Sequence, residues 1–336
     1  MRILFICNYK PGVGGISGQV EALQRHLCEE NYIAGLFSTK GPVLKRLCLP
    51  FKLNRIIKQY DVIHIHCCSG WGFLPAILGI VAGKKGGKRT ILTYHGGGAE
   101  AFFAKHKRLV KSFLLRTDVN IVLSGYLGAV FDKYQIPYTI IPNIIELDAS
   151  HYRERTVLRP NYICIRSHEE IYNIPCILRA FKIVQKRIPD STLTLVGDGS
   201  QHNTLKILAQ EMGVNNICFT GRVANCDIYK QLDKADIMLS SPTVDNMPVS
   251  LLEAMNAGLL VISSNVGGVP FILKDRINGY LFESNDDKGL STIMINAVMN
   301  WEQSKHIMAT AYNDSLKYCW NSIRDSMIAI YQQGNE

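Results

Sequence analysis

Two carboxylates bracket a loop that runs into a predicted helix in the second half of the chain. Asp245 and Glu253 stand eight residues apart, with Pro248 between them. Proline suits the first turn of a helix, because its ring fixes φ and its missing N–H would have no partner there. The free N–H groups just after it, at the positive end of the helix dipole, can bind a diphosphate, while the two acids bind sugar hydroxyls. This arrangement indicates a site for a nucleotide sugar.

Further candidates follow other predicted strands of the same half. Arg166 comes directly after the strand-like run Tyr162–Ile165, and an arginine can bind phosphate through two hydrogen bonds. Two strand-to-turn glycine sites, Leu195–Gly199 and Phe219–Val223, end two more apolar runs. Each glycine turn alone is as consistent with an ordinary turn as with a ligand loop. Because ligands bind parallel sheets at the carboxyl ends of strands, the four strand ends together predict one crevice.

The first half offers weaker candidates. Gly14 and Gly15 follow the first strand and precede a helix, where glycine lets the backbone approach a phosphate or a sugar. The spacing is not that of the G-x-G-x-x-G dinucleotide fingerprint, and a bare tight turn explains it nearly as well. His95, followed by three glycines, has room for a substrate beside it. Capping of the next helix is the alternative role for this histidine.

The chain offers little for a metal ion. His64 and His66 share one face of a strand, but no second pair of ligands lies near them in the sequence. No Asp-x-Asp occurs anywhere, whereas a transferase that holds its diphosphate through a divalent ion would usually need such an oxygen cluster. We therefore predict no metal and no cofactor, with the charge of the leaving group met by the helix end and by Arg166.

Strand-like and helix-like segments alternate along both halves, which predicts α/β domains with parallel sheets. In the first half we predict strands at Ile3–Cys7, Val62–His66, Thr90–Tyr94 and Asn120–Leu123, and helices at Gly18–Glu30, Trp71–Gly83 and Phe102–Arg116. In the second half we predict strands at Tyr162–Ile165, Thr192–Val196, Ile217–Thr220, Ile237–Ser240, Leu259–Ser263 and Tyr280–Phe282, and helices at Ile174–Arg187, Thr204–Gly213, Ile228–Leu232 and Val249–Ala257.

Two tandem Rossmann-like, doubly wound domains facing a central cleft fit this order best. The predicted bounds are 1–147 for an acceptor-side domain, 148–160 for a polar linker and 161–312 for a nucleotide-sugar domain. Residues 313–336 predict an amphipathic helix that packs back towards the first domain.

Composition bears on location and partners. The chain has ten cysteines, none in C-x-x-C spacing and several within apolar runs such as those around Cys164 and Cys218. Reduced, buried thiols of this kind predict a cytoplasmic protein. The apolar start is too short for a signal peptide, and the longest apolar stretch, Trp71–Gly83, falls short of a membrane span.

Charge is concentrated in the first half. Residues 1–150 hold 19 Lys and Arg against 9 Asp and Glu, whereas the remainder holds 18 against 19. Nucleic acid and a phospholipid surface are both candidate partners for such a balance. The basic amphipathic segment Phe102–Arg116 favours peripheral contact with the inner face of a membrane and not nucleic acid, although a core-packing helix with a solvated basic face remains the alternative.

The residues resemble the retaining glycosyltransferases of GT-B architecture, in the large group called group one or family four. The resemblance covers nearly the whole chain and is strongest from Tyr162 to Phe282. It rests on the motifs Val196–Gly199, Phe219–Gly221, Leu252–Met255, Ala257–Gly258, Gly267–Pro270 and Asn278–Gly279, on the Asp245 and Glu253 pair, and in the first half on Gly14–Gly15, Asp61–His66, His95–Gly96 and Pro142–Asn143.

The resemblance implies a role for each candidate. Glu253 would bind the ribose hydroxyls, and Asp245 and His95 would contact the donor sugar. The diphosphate would lie against Gly14 and Gly15 and against the backbone of Asn246, Met247, Pro248, Val249 and Ser250. The base would lie between Gly197, Gly199, Gly221 and Val223. The implied reaction moves a hexose or N-acetylhexosamine to a glycan or lipid-linked acceptor in cell-surface polysaccharide synthesis, for example of lipopolysaccharide.

One departure from the family's pattern keeps other functions open. The family has a lysine a few residues after the position of Arg166, but residues 167–173 contain none. Tyr172 or His168 would have to replace its contact with the diphosphate. A non-catalytic transferase-like subunit of a membrane assembly is therefore the main alternative. A Rossmann oxidoreductase is a weaker one, because the glycine spacing is wrong and no acid follows the second strand.

Overall fold

The computed structural model describes residues 1–12, 15–42, 47–146 and 151–333. The chain forms two compact units. The first consists of Met1–Ile144 together with Trp320–Glu336, and the second of Ile145–Cys319. The final helix thus belongs to the first unit, as the sequence predicts.

A six-stranded parallel sheet forms the centre of the first unit, in the order β2-β1-β3-β4-β5-β6. Its inner strands are almost wholly buried, which is typical of parallel strands covered on both faces. The strands are β1 (Arg2–Cys7), β2 (Ile33–Ser38), β3 (Val62–Cys67), β4 (Arg89–Tyr94), β5 (Val119–Val122) and β6 (Thr139–Ile140).

Helices cover both faces of this sheet. One core contains side chains of α1 (Ile16–Glu29) and of the C-terminal helix, including Leu23, Trp320 and Tyr331. The opposite core contains side chains of the helices α2 (Leu49–Ile56), α3 (Leu74–Lys85), α4 (Ala99–Lys105), α5 (Lys107–Leu114) and α6 (Gly125–Lys133).

The second unit repeats this architecture with the parallel strand order β12-β11-β10-β7-β8-β9. The strands are β7 (Asn161–Ile165), β8 (Thr192–Val196), β9 (Ile217–Gly221), β10 (Ile237–Ser240), β11 (Leu260–Ser264) and β12 (Tyr280–Phe282). The helices are α7 (Ile174–Arg187), α8 (His202–Glu211), α9 (Ile228–Leu232), α10 (Val249–Asn256), α11 (Val269–Ile272), α12 (Asp287–Met299) and α13 (Trp301–Ser315), and the first unit's C-terminal helix is α14 (Trp320–Gln332).

Two predicted helices differ from those observed. The segment Phe102–Arg116 is divided between α4 and α5, because His106 leaves the helical region with φ −122° and ψ 32°. The C-terminal helix begins at Trp320 and not at Asn313. Cys319 is extended, with φ −81° and ψ 162°, and forms a parallel bridge with Ile145. An extended residue in a bridge cannot continue a helix.

The segment predicted as a linker, 148–160, is placed only from His151 onwards, because residues 148–150 lie outside the described residues. Arg155 and Leu158 within it are buried in the second unit. The Arg155 guanidinium donates to the carbonyls of Ala235 and Ala257, which fixes the segment against α9 and α10.

Cysteine burial follows the prediction in one case and not in the other. Cys164, on the central strand β7, is buried, whereas Cys218 is exposed because β9 is an edge strand. Within the described residues, no helix is both long and apolar enough to cross a membrane.

Candidate functional site

Arg166 lies where the direction of strand succession reverses in the second sheet. From β7 the chain moves to β8 and β9 on one side, and later to β10, β11 and β12 on the other. Such a point leaves a crevice at the carboxyl ends of two adjacent strands, here β7 and β10. Arg166 follows β7 and donates to the hydroxyl of Ser240, the last residue of β10, with Nη2 to Oγ at 3.1 Å.

A second contact of Arg166 reaches the predicted acid Asp245. Its Nη2 lies 2.9 Å from Asp245 Oδ2, and the two side chains are 9% and 18% exposed. The guanidinium also lies over the ring of Tyr172, 5.1 Å from its centroid. The contacts with Ser240 and Asp245 use Nε and Nη2. The guanidinium has five N–H donors, so the pair still offers a donor to a phosphate oxygen.

Two glycines hold the backbone of the Asp245 loop. Gly267 has φ +53°, and a Cβ there or on Gly268 would overlap the carbonyl oxygen of Asp245 or Asn246. Gly268 N–H also donates to the Asp245 carbonyl at 3.1 Å. The Asp245 carboxylate accepts from the N–H of Asn246 at 2.8 Å. The orientation of this acid therefore depends on close backbone packing that only glycine permits.

The predicted anion-binding helix end is α10. Pro248 is the N-cap residue, with φ −68° and ψ 114°, and the helix begins at Val249, the predicted first residue. The first N–H groups of a helix have no partner within it. Asn246, Met247 and Pro248 are buried, whereas Val249 and Ser250 are half-buried. The hydroxyl of Ser250, in the first turn, has no hydrogen-bond partner among the described residues.

Glu253 lies on the same helix, half-buried. Loss of solvent raises the pKa of its carboxyl to about 7, although the positive charge of Arg166 opposes this shift. Burial, and then the Glu253 charge, raise the pKa of the neighbouring Tyr229 phenol. The imidazole of His151 stacks on the Tyr229 ring at 3.5 Å. Glu253 therefore changes its protonation state near neutral pH in a largely desolvated setting.

The glycine loops after β8 and β9 lie against the segment that follows β7. A Cβ on Gly197 would overlap the Arg166 carbonyl, and one on Gly199 would overlap the His168 carbonyl. His168 N–H donates to the Asp198 carbonyl at 3.1 Å, and Gly197 N–H donates to the Gly221 carbonyl at 2.9 Å. Gly221 has φ +69° with open space around it, and Val223 is half-buried.

His168 does not present a charge that could replace the missing lysine. It is fully buried, and its Nδ1 lies 2.8 Å from Nδ1 of His202. Burial, with the nearby His202, lowers the pKa of His168 to about 4, so the imidazole is neutral at pH 7. Tyr172 is engaged with Arg166 through its ring. Arg166 is the cation that this segment supplies.

The remaining predicted residues belong to the first unit. Gly14 lies outside the described residues. Gly15 is the N-cap of α1, with φ +68°. His95 follows β4, and its Nε2 lies 2.8 Å from Nδ1 of His66. Burial lowers the pKa of His95 to about 3, so it offers a neutral hydrogen-bonding group at pH 7.

The histidine pair of β3 is held by protein groups. His64 Nδ1 lies 2.7 Å from the Tyr331 hydroxyl and His64 Nε2 lies 2.8 Å from the Thr93 hydroxyl, so both ring nitrogens are engaged. His66 Nε2 has no hydrogen-bond partner among the described residues. A cavity of about 20 Å³, the size of a water molecule, is lined by His66, His95, Gln19 and Asn143 among others. These histidines form a neutral internal cluster.

Comparison with known families assigns both units. The model described as "Glycosyl transferases group 1" matches residues 159–314, which include the Arg166, Asp245 and Glu253 site. The model described as "Glycosyltransferase Family 4" matches residues 17–149. The chain belongs to the group 1 glycosyltransferases of GT-B fold.

Relatives and solved structures resemble this glycosyltransferase over most of its length. Alpha-monoglucosyldiacylglycerol synthase of Streptococcus pneumoniae is 25% identical over 85% of this chain and 76% of its own length. O-antigen chain mannosyltransferase C of Escherichia coli is 25% identical over 91% of each chain. The crystal structure of HepE from Anabaena in complex with UDP-glucose has a TM-score of 0.81 and 17% identity and covers 99% of both chains.

Some residues at the site of this glycosyltransferase could not be found from local sequence. Ser240 reaches Arg166 only because β10 pairs with β7, although the two strands are far apart in the chain. His202 and Tyr229 adjoin His168 and Glu253 for the same kind of reason. A serine at a strand end is the only local signal for Ser240, and serines end strands without functional reason.

Proposed function

We propose that this glycosyltransferase transfers a hexose or an N-acetylhexosamine from a nucleoside diphosphate to a glycan or lipid-linked acceptor, with retention of the anomeric configuration. The observation that carries the proposal is the contact between Arg166 and Asp245 at the crossover point of the second sheet, beside the N-terminus of α10. This arrangement supports binding of an anion and of hydroxyl groups by adjacent residues.

Each of the four parts of the donor would be bound by its own residues. The diphosphate would accept hydrogen bonds from Arg166, from Ser250 and from the free N–H groups at the start of α10. Glu253, in its ionised form, would accept from the ribose hydroxyls. The base would lie against the glycine loop of Gly197 and Gly199, near Gly221 and Val223, and Asp245 would contact the sugar.

The proposed chemistry requires no nucleophile from the protein. The acceptor hydroxyl oxygen forms a bond with the anomeric carbon on the face from which the diphosphate departs. The bond between that carbon and the diphosphate oxygen breaks, and the departing phosphate takes the acceptor's proton. Arg166 and the helix end stabilise the negative charge that develops on the leaving group. We assign this charge to them and not to a divalent ion, because the sequence has no Asp-x-Asp.

The acceptor class is supported by relatives. One of the two named above is a glucosyldiacylglycerol synthase and the other is an O-antigen chain mannosyltransferase. The first name specifies a glycolipid product and the second a glycan chain as acceptor. We propose the same broad class of acceptor here, in the synthesis of a cell-surface polysaccharide at the cytoplasmic side of a membrane.

Release of nucleoside diphosphate from UDP-, GDP- and ADP-sugars tests the proposal directly. We expect one donor to be turned over with glycan or lipid acceptors and hydrolysed slowly without them. NMR should show that the product keeps the donor's anomeric configuration, and EDTA should leave the rate unchanged.

Arg166→Ala should lower kcat by roughly 100- to 1000-fold, the range seen when one charge-stabilising donor is removed.

The matched control is Arg187→Ala, which removes an exposed arginine at the end of α7. Its rate should equal that of the wild type. Absence of turnover with every donor, or a product of inverted configuration, would contradict the proposed reaction.

One observation favours a second function, that of a non-catalytic subunit. Since His168 is buried and neutral at pH 7, Arg166 alone supplies positive charge in this segment. Such a subunit would still be stabilised by UDP or GDP in a thermal-shift assay, because a ligand that binds the folded state raises its stability. It would release no product, and Glu253→Ala would leave the activity of its assembly intact.

A further inference from the structure

The positive charge of the first unit is confined to one stretch of sequence. Residues 47–116 contain 12 lysines and arginines and two acids, a balance of +10. The other residues of 1–150 hold seven basic and seven acidic side chains and are therefore neutral. The charge is thus a property of one group of elements and not of the unit as a whole.

These elements lie together on one face of the first sheet. Helices α2, α3, α4 and α5 all contribute to the core on that face, through residues such as Leu53, Ile80, Phe103 and Val110. Helix α3 lies between α2 and α5 and contacts both. Their outward sides therefore form a continuous surface, opposite the face that α1 and α14 cover.

Large apolar side chains are exposed on the same elements. Phe51 on α2 is 79% exposed, and Trp71, in the turn before α3, is 82% exposed. Leu109 on α5 and Leu115 at its end are 40% and 49% exposed. Burial of each would be favourable, and their number on neighbouring elements marks an interaction surface. We call these four residues, with the basic residues Lys52, Arg55, Lys105, Lys107, Arg108 and Arg116, the docking face.

The basic side chains of the docking face remain available to a partner. None of the six forms an ion pair with a carboxylate of the described residues. The two acids of residues 47–116 are already engaged. Asp61 accepts from the backbone N–H of Arg2 at 2.7 Å, and Glu100 pairs with Lys133 at 2.9 Å. The surface therefore carries positive charge without a compensating negative group.

We propose that the docking face binds the surface of an anionic lipid bilayer, with the basic side chains at the lipid phosphates and the apolar side chains in the headgroup region. Charged and large apolar side chains alternate along the exposed side of α5, which supports a lipid bilayer as the partner. Arg108, Leu109 and Ser112 on α5, and Leu115 and Arg116 directly after it, are exposed, whereas Val110 and Leu114 are buried. Basic and apolar side chains together on one exposed side suit the interfacial region of an anionic membrane.

A bilayer accounts for both the positive charge and the exposed apolar side chains of the docking face. The charge alone would also suit nucleic acid, since phosphates dominate that interaction. A duplex offers no apolar layer for Phe51, Trp71, Leu109 and Leu115, whereas the boundary between headgroups and acyl chains does. The docking face belongs to the first unit, whereas Arg166, Asp245 and Glu253 belong to the second. Membrane binding can therefore be disproved while the proposed reaction holds, and the reaction can be disproved while membrane binding holds.

Co-sedimentation with vesicles tests the proposal on the full chain. We expect the wild type to bind equimolar phosphatidylglycerol and phosphatidylcholine vesicles and to bind phosphatidylcholine alone far more weakly. The variant Lys105→Gln, Lys107→Gln, Arg108→Gln should bind the anionic vesicles on the order of 100-fold more weakly, because each basic residue near such a surface contributes about a factor of five.

The charge-matched control is Lys186→Gln, Arg187→Gln, Lys234→Gln, which removes three exposed cations from the second unit. It should bind as the wild type does. Hydrolysis of the donor in solution should be unchanged in both variants, which shows that each is folded. Equal binding by the two variants, or no preference for anionic vesicles, would overturn the proposal.

Insertion of the apolar residues has its own readout. Phosphatidylglycerol brominated on its acyl chains should quench the tryptophan fluorescence of the wild type, and Trp71→Phe should abolish the quenching. The double variant Phe51→Ser, Trp71→Ser should weaken binding to anionic vesicles, while Ile207→Ser, an exposed apolar residue of α8, should not. Displacement of the vesicles by an RNA oligonucleotide at stoichiometric amounts, without quenching, would assign the docking face to nucleic acid and overturn the membrane proposal.

Discussion

Charge at the donor site is set by individual partly buried side chains. Arg166 is held between a hydroxyl and a carboxylate, and its charge lowers the cost of ionising the acid on α10. That influence is smaller than the effect of burial, since the pKa of Glu253 is still raised to about 7. A carboxyl kept from solvent in this way is poised for a ligand and is unfavourable for the stability of the protein without one.

Glu253→Gln should therefore stabilise the ligand-free protein at high pH. Between pH 4.5 and 7 the folded state holds more protons on this group than the unfolded state, so the stability of the wild type falls as pH rises through this window. Glutamine does not ionise, so the stability of the variant does not fall in this pH range. Its free energy of unfolding should exceed that of the wild type by at most about 3 kcal/mol at pH 8, and the difference should be small below pH 4.5.

Urea unfolding at pH 5 and pH 8 measures this difference. The exposed Glu211→Gln on α8 is the control and should shift stability by less than about 0.5 kcal/mol at either pH. Binding of nucleoside diphosphate should weaken in Glu253→Gln although its stability rises. A variant less stable than the wild type at pH 8 would show that the carboxylate is stabilising and that its pKa is not raised.

At the scale of the elements, glycines decide where the site loops can lie. The loop after β11 contacts the loop after β10 so closely that Gly267 and Gly268 leave no room for a side chain. The loop after β8 meets the segment after β7 in the same manner through Gly197 and Gly199. These approaches bring the ends of four strands to one place, which is what a ligand in the crevice requires.

Gly267→Ala should be severely destabilising, because it combines a positive φ with overlap of the new Cβ and the Asp245 carbonyl. We expect a loss of at least about 3 kcal/mol in the free energy of unfolding, and loss of donor turnover.

Gly221→Ala separates the two causes, since Gly221 has φ +69° but nothing within reach of a Cβ. It should lose only about 1 kcal/mol, the cost of the left-handed backbone. Chemical denaturation of both variants measures the comparison. Equal losses would mean that the approach of the two loops is not close in solution.

At the scale of the whole molecule, the chain returns to its first unit after completing the second. Helix α14 packs beside β1 through Trp320, Ile323 and Tyr331. The Tyr331 hydroxyl reaches His64 on β3, across 267 positions of sequence. Burial lowers the pKa of His64 to about 3, so a neutral imidazole with satisfied nitrogens is buried at the centre of the unit. The last helix is thus part of the first core.

Tyr331→Phe should destabilise the first unit, because it leaves His64 Nδ1 buried without a partner. The expected loss is about 1–3 kcal/mol in the free energy of unfolding, measured by thermal or urea unfolding. Tyr32→Phe is a matched control, since among the described residues the Tyr32 hydroxyl accepts one exposed hydrogen bond, from Gln332. It should change stability by less than about 0.5 kcal/mol. Equal effects would show that the buried bond to His64 does not hold the helix.

Much of the fold follows from local sequence. The alternation of apolar runs with amphipathic stretches predicts most strands and both parallel sheets, since periodicity reports burial residue by residue. It fails for the strands β2 and β6 and for the helices α2, α6, α11, α12 and α13, which we did not predict. β2 is partly exposed at the sheet edge, and Ala34 and Gly35 interrupt its large apolar side chains. The residue types at Arg166, Asp245, Pro248 and Glu253 likewise indicate an anion and sugar site from their spacing alone.

Only the tertiary structure decided which of these groups meet. The sequence alone determined most strands, about half of the helices and the chemistry available at their ends, because those depend on neighbours within a few residues. The pairing of β7 with β10, the contact of Arg166 with Ser240 and the return of Tyr331 to His64 depend on strand order and packing across long separations. Residues distant in sequence meet only where burial of the whole core fixes one arrangement.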